Sequence, residues 1–276
     1  VIMSVAALVF FEPSWPRAVN GEWWVPSEDG GLLYRFTATG QHLSTLSVRT
    51  RQALLTFRYD AEEQLREVED DDGHVLRVER GATVDLVAHF GQRTELTVGA
   101  DGWLRSLRDP VSREWSLTYH PDDEQGRGGL LHTLTSPGGG TSTFTYDDEG
   151  RLVRDEGAEG FELTLDRTAD GLVEEVDRAT GEGRITHYRN DTDASGLPRT
   201  TVTQPDGTSV TITRPGEEAA GDAVFVGSDG TSLTTATEPH PIFGRAAPVP
   251  SSMTLTLPSG ASLTSTQRVE VSYEPA

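Results

Sequence analysis

Along most of the chain apolar and polar residues alternate in short runs, and each run is broken by a cluster centred on glycine. Period-two alternation bounded by turn residues predicts strands. The clearest unit is Phe144-Thr-Tyr146-Asp147-Asp-Glu-Gly150-Arg151-Leu152-Val153. It reads as strand, tight turn, strand. Asp147 bonds the turn backbone, Gly150 takes a positive φ, and Leu152 restarts the alternation. Looser copies keep parts of this unit. Tyr34 leads to Gly40, Leu96 to Gly102 and Leu104, Leu165 to Gly171, and Tyr188 to Gly196 with two extra residues. Tyr59-Asp60 keeps the pair but has Glu63 where glycine is expected. A second class of turn, marked by Asp72-Gly73, Pro137-Gly138, Thr180-Gly181 and Asp206-Gly207, falls in between. The apolar anchors Tyr34, Tyr59, Val78, Val98, Tyr119, Tyr146, Leu165, Tyr188 and Ile212 lie 19 to 27 residues apart. Each interval holds one hairpin of two short strands.

The predicted fold is all-β: tandem hairpins zipped side by side into one continuous, curved antiparallel sheet. A lone hairpin is marginal, whereas stacked hairpins pair one another's edges. No window sustains helical spacing without a turn cluster inside it. Residues 1–30 form an apolar and aromatic lead-in, residues 31–235 the hairpin array, and residues 236–276 a Pro/Ser/Thr-rich extension. Pro239, Pro241, Pro248 and Pro250 mark a connector there, not a central strand. A β-propeller is the competing architecture, and the unequal spacings argue against it. The first and last hairpins of such an array carry open edges, so an isolated segment is expected to associate unless its ends are covered.

Composition narrows the function. The 276 residues include 23 Lys+Arg and 44 Asp+Glu, a formal net charge of −21. That field repels phosphate backbones and anionic lipid, so neither nucleic acid nor membrane insertion is expected. The sequence contains no Lys, which excludes Schiff-base and phosphate-loop lysines, and no Cys, which excludes thiol chemistry and disulfides. The apolar run Val1 to Phe11 is too short to span a bilayer and lacks the basic start of a secretory signal. It reads as a strand or as the cut edge of a longer protein.

Candidate chemistry is thin. The acidic runs Asp70-Asp71-Asp72 and Asp122-Asp123-Glu124 sit in predicted turns, where carboxylates bond backbone rather than act as acid and base. Asp191-Thr-Asp193-Ala-Ser195-Gly196 resembles half a calcium loop, but its twelfth position is Val202. His42, His74, His89, His120, His132, His187 and His240 show no zinc spacing and read as surface or turn residues. Pro137-Gly138-Gly139-Gly140 follows no strand–helix context and reads as a turn. Asn190-Asp-Thr192 is a glycosylation sequon. Trp15, Trp23, Trp24, Trp103 and Trp115 either pack between repeats or offer a sugar-binding surface, with Trp103 exposed after Gly102. No catalytic residue, metal site or cofactor is expected.

Tyr-Asp followed by Gly-Arg-Leu, as in Tyr146-Asp147-Asp148-Glu149-Gly150-Arg151-Leu152, resembles the YD repeat of the Rhs family. Shell subunits of insecticidal toxin complexes and the animal teneurins share it. The likeness runs from about Gly31 to about Gly230 and extends to His89-Phe-Gly-Gln-Arg-Thr94 and Phe243-Gly-Arg-Ala-Ala-Pro-Val-Pro250. It implies a spiralling sheet that forms a hollow shell around another polypeptide, often a toxin, in a secreted or cell-surface bacterial protein. This chain is far shorter than a full shell and ends without the proline- and aspartate-containing motif that accompanies self-cleavage. A wall segment is therefore expected, not a complete self-cleaving cage. The repeat signature comprises Tyr34, Gly40, Tyr59, Asp60, Gly102, Tyr119, Tyr146, Asp147, Gly150, Arg151, Leu152, Gly171, Tyr188 and Gly196. Expected partners are the rest of the shell and the enclosed polypeptide. The alternative is an adhesin-like module binding carbohydrate or protein.

Overall fold

A computed structural model describes residues 15–121, 127–214 and 223–270. The initial apolar run, the Asp122-Asp123-Glu124 cluster and the last residues lie outside that range. Among the described residues, twenty-three strands, from β1 (Arg17–Val19) to β23 (Ser262–Thr266), form one sheet. Each strand pairs antiparallel with the next in the chain, as β13 (Thr141–Tyr146) does with β14 (Leu152–Glu156). The only helical element among the described residues is one 3-10 turn, Ala158–Gly160.

Most turns of both classes read from the sequence share one geometry. In most turns the opening residue donates its N–H to the carbonyl four residues on and accepts from the N–H three residues on. This pair of bonds occurs at Thr37, Asp60, Asp70, Asp147, Thr180, Gln204 and Leu257, among others. The geometry needs a left-handed residue at the fourth position. Gly150 supplies it at φ 76°, while Glu63 and Ser112 adopt φ 62° and 64° in the same role. The carboxylate of the opening aspartate compensates: Asp60 Oδ1 accepts from Glu62 N–H at 3.1 Å and from Gln64 N–H at 2.8 Å.

Over most of the sheet the two faces differ. One carries Arg, Asp, Glu, Ser and Thr. Arg77 reaches Glu67, Arg93 reaches Glu79 and Asp85, and Arg108 reaches Glu114. Threonine hydroxyls pair at Thr118–Thr133, Thr135–Thr141 and Thr254–Thr264. The other face carries apolar rows. Phe57 lies opposite Val68, Leu96 opposite Leu107, Leu107 opposite Trp115, and Tyr188 opposite Val202. Ile212, Phe225, Leu233, Leu255 and Leu263 continue the rows to the last strand.

No second layer covers the apolar face among the described residues. Val210 is 43% exposed and Leu263 72%. The accessible surface is 18767 Å², against about 11,700 Å² for a compact monomer of this size. The buried apolar side chains among the described residues are Phe243, Ala247 and Val249.

All three belong to β22 (Gly244–Thr256) or the turn before it. The proline-rich stretch read as a connector is thus the hairpin of β21 (Ser232–His240) and β22. Proline is tolerated because this hairpin outruns its neighbours. β20 (Ala223–Gly227) pairs β21 only over Ser232–Thr235, and β23 pairs β22 only over Ser252–Thr256. Beyond them the ribbon has open edges and two register shifts, where a missing N–H costs little. This protruding ribbon is the arm of the molecule.

Candidate functional site

The arm ends where the chain began. Its tip, His240 to Phe243, packs on β2 (Glu22–Pro26), β3 (Leu32–Thr37) and β4 (His42–Ser47). From β3 to β21 is eighteen strand spacings, about 86 Å of sheet at roughly 4.8 Å each. Yet a Cβ placed on Gly30, in the β2–β3 turn, would lie 2.8 Å from the His240 ring and 3.5 Å from Ala247. The sheet therefore curls until its far end meets its start.

The contact is built from aromatic and small residues. Trp15 meets Phe243 edge-on, with centroids 5.0 Å apart, and Phe243 stacks on His240 at 4.9 Å. Trp15, Trp24, Leu33, Leu46, Ile242 and Phe243 line the cleft between arm and hairpins. Gly30 takes φ 68°, and Ala247 is fully buried. His240 is 8% exposed, so the surface reading of this histidine is corrected. Its Nδ1 accepts from Ile242 N–H at 3.0 Å and from Phe243 N–H at 3.3 Å. Burial pushes its pKa down. His42 departs from the surface reading too. It lies between Phe36 and Phe57, with centroids at 4.8 and 4.1 Å, and burial lowers its pKa.

The predicted repeat residues occupy the turns and the seams between hairpins. Asp147 Oδ1 accepts from Glu149 N–H and Arg151 N–H at 3.0 and 2.9 Å, and its Oδ2 meets the Arg151 guanidinium at 2.8 Å. The Arg151 N–H, then its side chain, holds the Asp147 carboxyl below its ordinary value. Leu152 lies opposite Tyr146. Gly40, Gly102 and Gly196 fill the left-handed position of their turns at φ 93°, 85° and 81°. Gly171 at φ 63° belongs instead to a two-residue turn, because Asp170 pairs directly with Val173.

The tyrosines do more than stack. Tyr59 donates to the carbonyl of His42 at 3.0 Å, Tyr119 to Leu104 at 2.8 Å, and Tyr146 to Leu131 at 2.9 Å. Each acceptor is the first residue of the preceding strand. Each ring therefore ties its own turn to the strand beside it. Tyr34 stands edge-on to His42, and Tyr188 sits between Val176 and Val202 on the apolar face.

The calcium-like segment is engaged within the fold. Asp191 is held by Arg199 and Arg189, which keep its carboxyl far below the usual range, and Asp193 bonds the backbone of Ser195 and Leu197. Asp70 likewise bonds the N–H groups of Asp72 and His74. Trp103 is 45% exposed and packs over Tyr119 at 5.4 Å. No group of three or more metal-ligating side chains occurs among the described residues, nor any helix long and apolar enough to cross a membrane.

Comparison with known proteins agrees with this geometry. Residues 20–274 match the family described as teneurin YD-shell. Teneurin-4 of Mus musculus is 26% identical over 246 residues, covering 82% of this chain and 8% of its own length. Teneurin-3 of Danio rerio is 34% identical over 141 residues, covering 50% of this chain and 5% of its own. The chain thus spans under a tenth of these relatives. The crystal structure of TcdB2-TccC3-Cdc42 superposes at a TM-score of 0.34 with 11% identity, covering 87% of this chain and 18% of that one. At that score the likeness is too loose to bear on function. On the family match and the sheet it describes, the chain belongs to the teneurin YD-shell family.

Proposed function

We propose that the chain is a non-enzymatic wall segment of an extracellular or surface-exposed shell, and that its apolar face lies against an enclosed or displayed polypeptide such as a toxin. One observation carries this reading. A sheet one strand-layer thick curls back to its own start while leaving an apolar face uncovered. A folded chain keeps so much apolar area in contact with water only when something else covers it. Residues 31–235 supply the array, residues 1–30 lead into it, and residues 236–276 carry the arm. The ordered bonds of the turns and tyrosines serve rigidity.

These 276 residues contain no cysteine, so each introduced thiol is the segment's single label. Single cysteines at Val210 or Leu255 report the apolar face, and at Thr211 or Thr254 the polar one. In the natural polypeptide that carries this chain, the apolar-face thiols are expected to label slowly while the enclosed polypeptide is present and fast once it is removed. Equal rates in both states would refute the reading. A second reading, recognition of carbohydrate or protein, is supported by Trp103, exposed over Tyr119 at a turn. A glycan array that gives no binder would remove its carbohydrate form.

A further inference from the structure

We infer that His240 is a pH-operated latch: its neutral imidazole holds the arm on the first hairpins, and protonation of the ring releases the arm.

The geometry fixes the tautomer. Nδ1 accepts from two backbone donors, Ile242 N–H and Phe243 N–H, so the ring proton resides on Nε2. A second proton can go only to Nδ1. There it faces two N–H groups and removes the acceptor that shapes the tip. The charged ring has no way to turn aside within its site. Phe243 stacks on one side, and at Gly30 the space for even a single Cβ is already taken by Cδ2 and Nε2 of the ring, at 2.8 and 2.9 Å. Relief comes from lifting the tip off Gly30, which uncovers Trp15, Leu33 and Leu46 together.

The charged and titratable groups on the elements packed there are Glu238 and Arg245 on the arm, Glu22 on β2, Glu28 and Asp29 in the β2–β3 turn, Tyr34 and Arg35 on β3, His42 on β4, and Arg49 and Arg51 beyond β4. Glu22 and Arg35 pair with each other at 2.8 Å. Asp29 is committed to the Ser27 hydroxyl and the Gly31 N–H. Among the described residues no ion pair joins a carboxylate to His240. Burial alone lowers its pKa. The sign follows. The docked ring binds a proton less readily than the released ring, so docking is at full strength above the free histidine value, about 6.5. It weakens as pH falls below that value, up to tenfold per pH unit, until the docked ring itself protonates.

Hydrogen exchange of the whole chain between pH 7.5 and 5.0, corrected for intrinsic rates, tests this. Protection in the peptide covering Ile242 and Phe243 is expected to fall by up to about tenfold per pH unit below about 6.5. Protection across Val176–Tyr188 is expected to hold over the same range. His240→Asn offers a non-titrating acceptor at the Nδ1 position and is expected to flatten the arm profile. A flat wild-type profile overturns the latch, as does a His240→Asn profile that falls like wild type. Simultaneous loss at Val176–Tyr188 also overturns it, because the transition would then be global. Should His240→Asn fail to dock at any pH, the wild-type profile decides alone.

Discussion

Replacing Gly30 by alanine isolates the contact that closes the sheet. A Cβ at this position lies 2.8 and 2.9 Å from the His240 ring, inside any tolerable carbon contact, and the φ of 68° adds backbone strain. The left-handed strain costs about 1–2 kcal/mol and is present whether or not the arm is docked. Only the clash is relieved by release. Overpacking of a filled site costs about 1–3 kcal/mol, so the docked fraction relative to the released one is expected to fall about 5- to 150-fold. Gly31→Ala is the control, because the atoms nearest its Cβ are those of the Asp29 carboxylate, no closer than 3.4 Å. With no lysine in the chain, trypsin cuts only after arginine, and Arg245 stands exposed in the arm. Limited trypsinolysis followed by mass measurement should show cleavage between Arg245 and Ala246 accelerated by that factor in Gly30→Ala and unchanged in Gly31→Ala. Equal cleavage in the two variants would refute the reasoning.

The hairpin seams give further tests. Tyr146→Phe removes the hydroxyl bond to the Leu131 carbonyl and should lower stability by about 1 kcal/mol in urea titration; an unchanged midpoint would show that the tie is idle. Asp147→Ala strips the acceptor from the Glu149 and Arg151 N–H groups. It should destabilise more than Asp147→Asn, which keeps an oxygen there, and the reverse order in a thermal melt would count against the turn account. The carboxyls of Asp70, Asp147 and Asp229 are held below their ordinary 3.8, chiefly by the backbone N–H groups of His74, Arg151 and Thr231. A depressed folded value contributes stability above the unfolded one, lost as pH falls through the folded one. The global urea midpoint is therefore expected to slip gently below about pH 6.5, as the buried His42 and His240 take up protons, and to fall more steeply below about pH 5 as these carboxylates do; a midpoint still flat at pH 3 would contradict this.

Strands and turns were legible because both depend on neighbours in sequence. Alternation marked the strands, and a glycine or an Asp opening marked the turns, so Tyr146-Asp147…Gly150-Arg151 could be read without coordinates. The turn at Asp60 shows the limit: Glu63 adopts the left-handed conformation that glycine spacing alone would not assign. The arm was illegible for a different reason. Proline normally argues against a paired strand, and Pro248 and Pro250 are accommodated only because β22 runs beyond its outer neighbour. The closing contact joins Gly30 to His240 across the whole array, and no local pattern encodes a partner that distant. The burial of His240 follows from the same contact, which is why it read as a turn histidine. The tyrosine ties escaped notice because the acceptors are backbone carbonyls, which carry no sequence signature.

The sheet curls until its last hairpins meet its first. Spin labels on Arg49→Cys, just after β4, and Thr237→Cys, near the arm tip, measure this in a chain without native cysteine. Laid flat, the seventeen spacings between those strands would separate the labels by about 80 Å. The curled sheet is expected to give a single short distance, a small fraction of that figure, at neutral pH. A distribution centred near the flat-sheet value would contradict it.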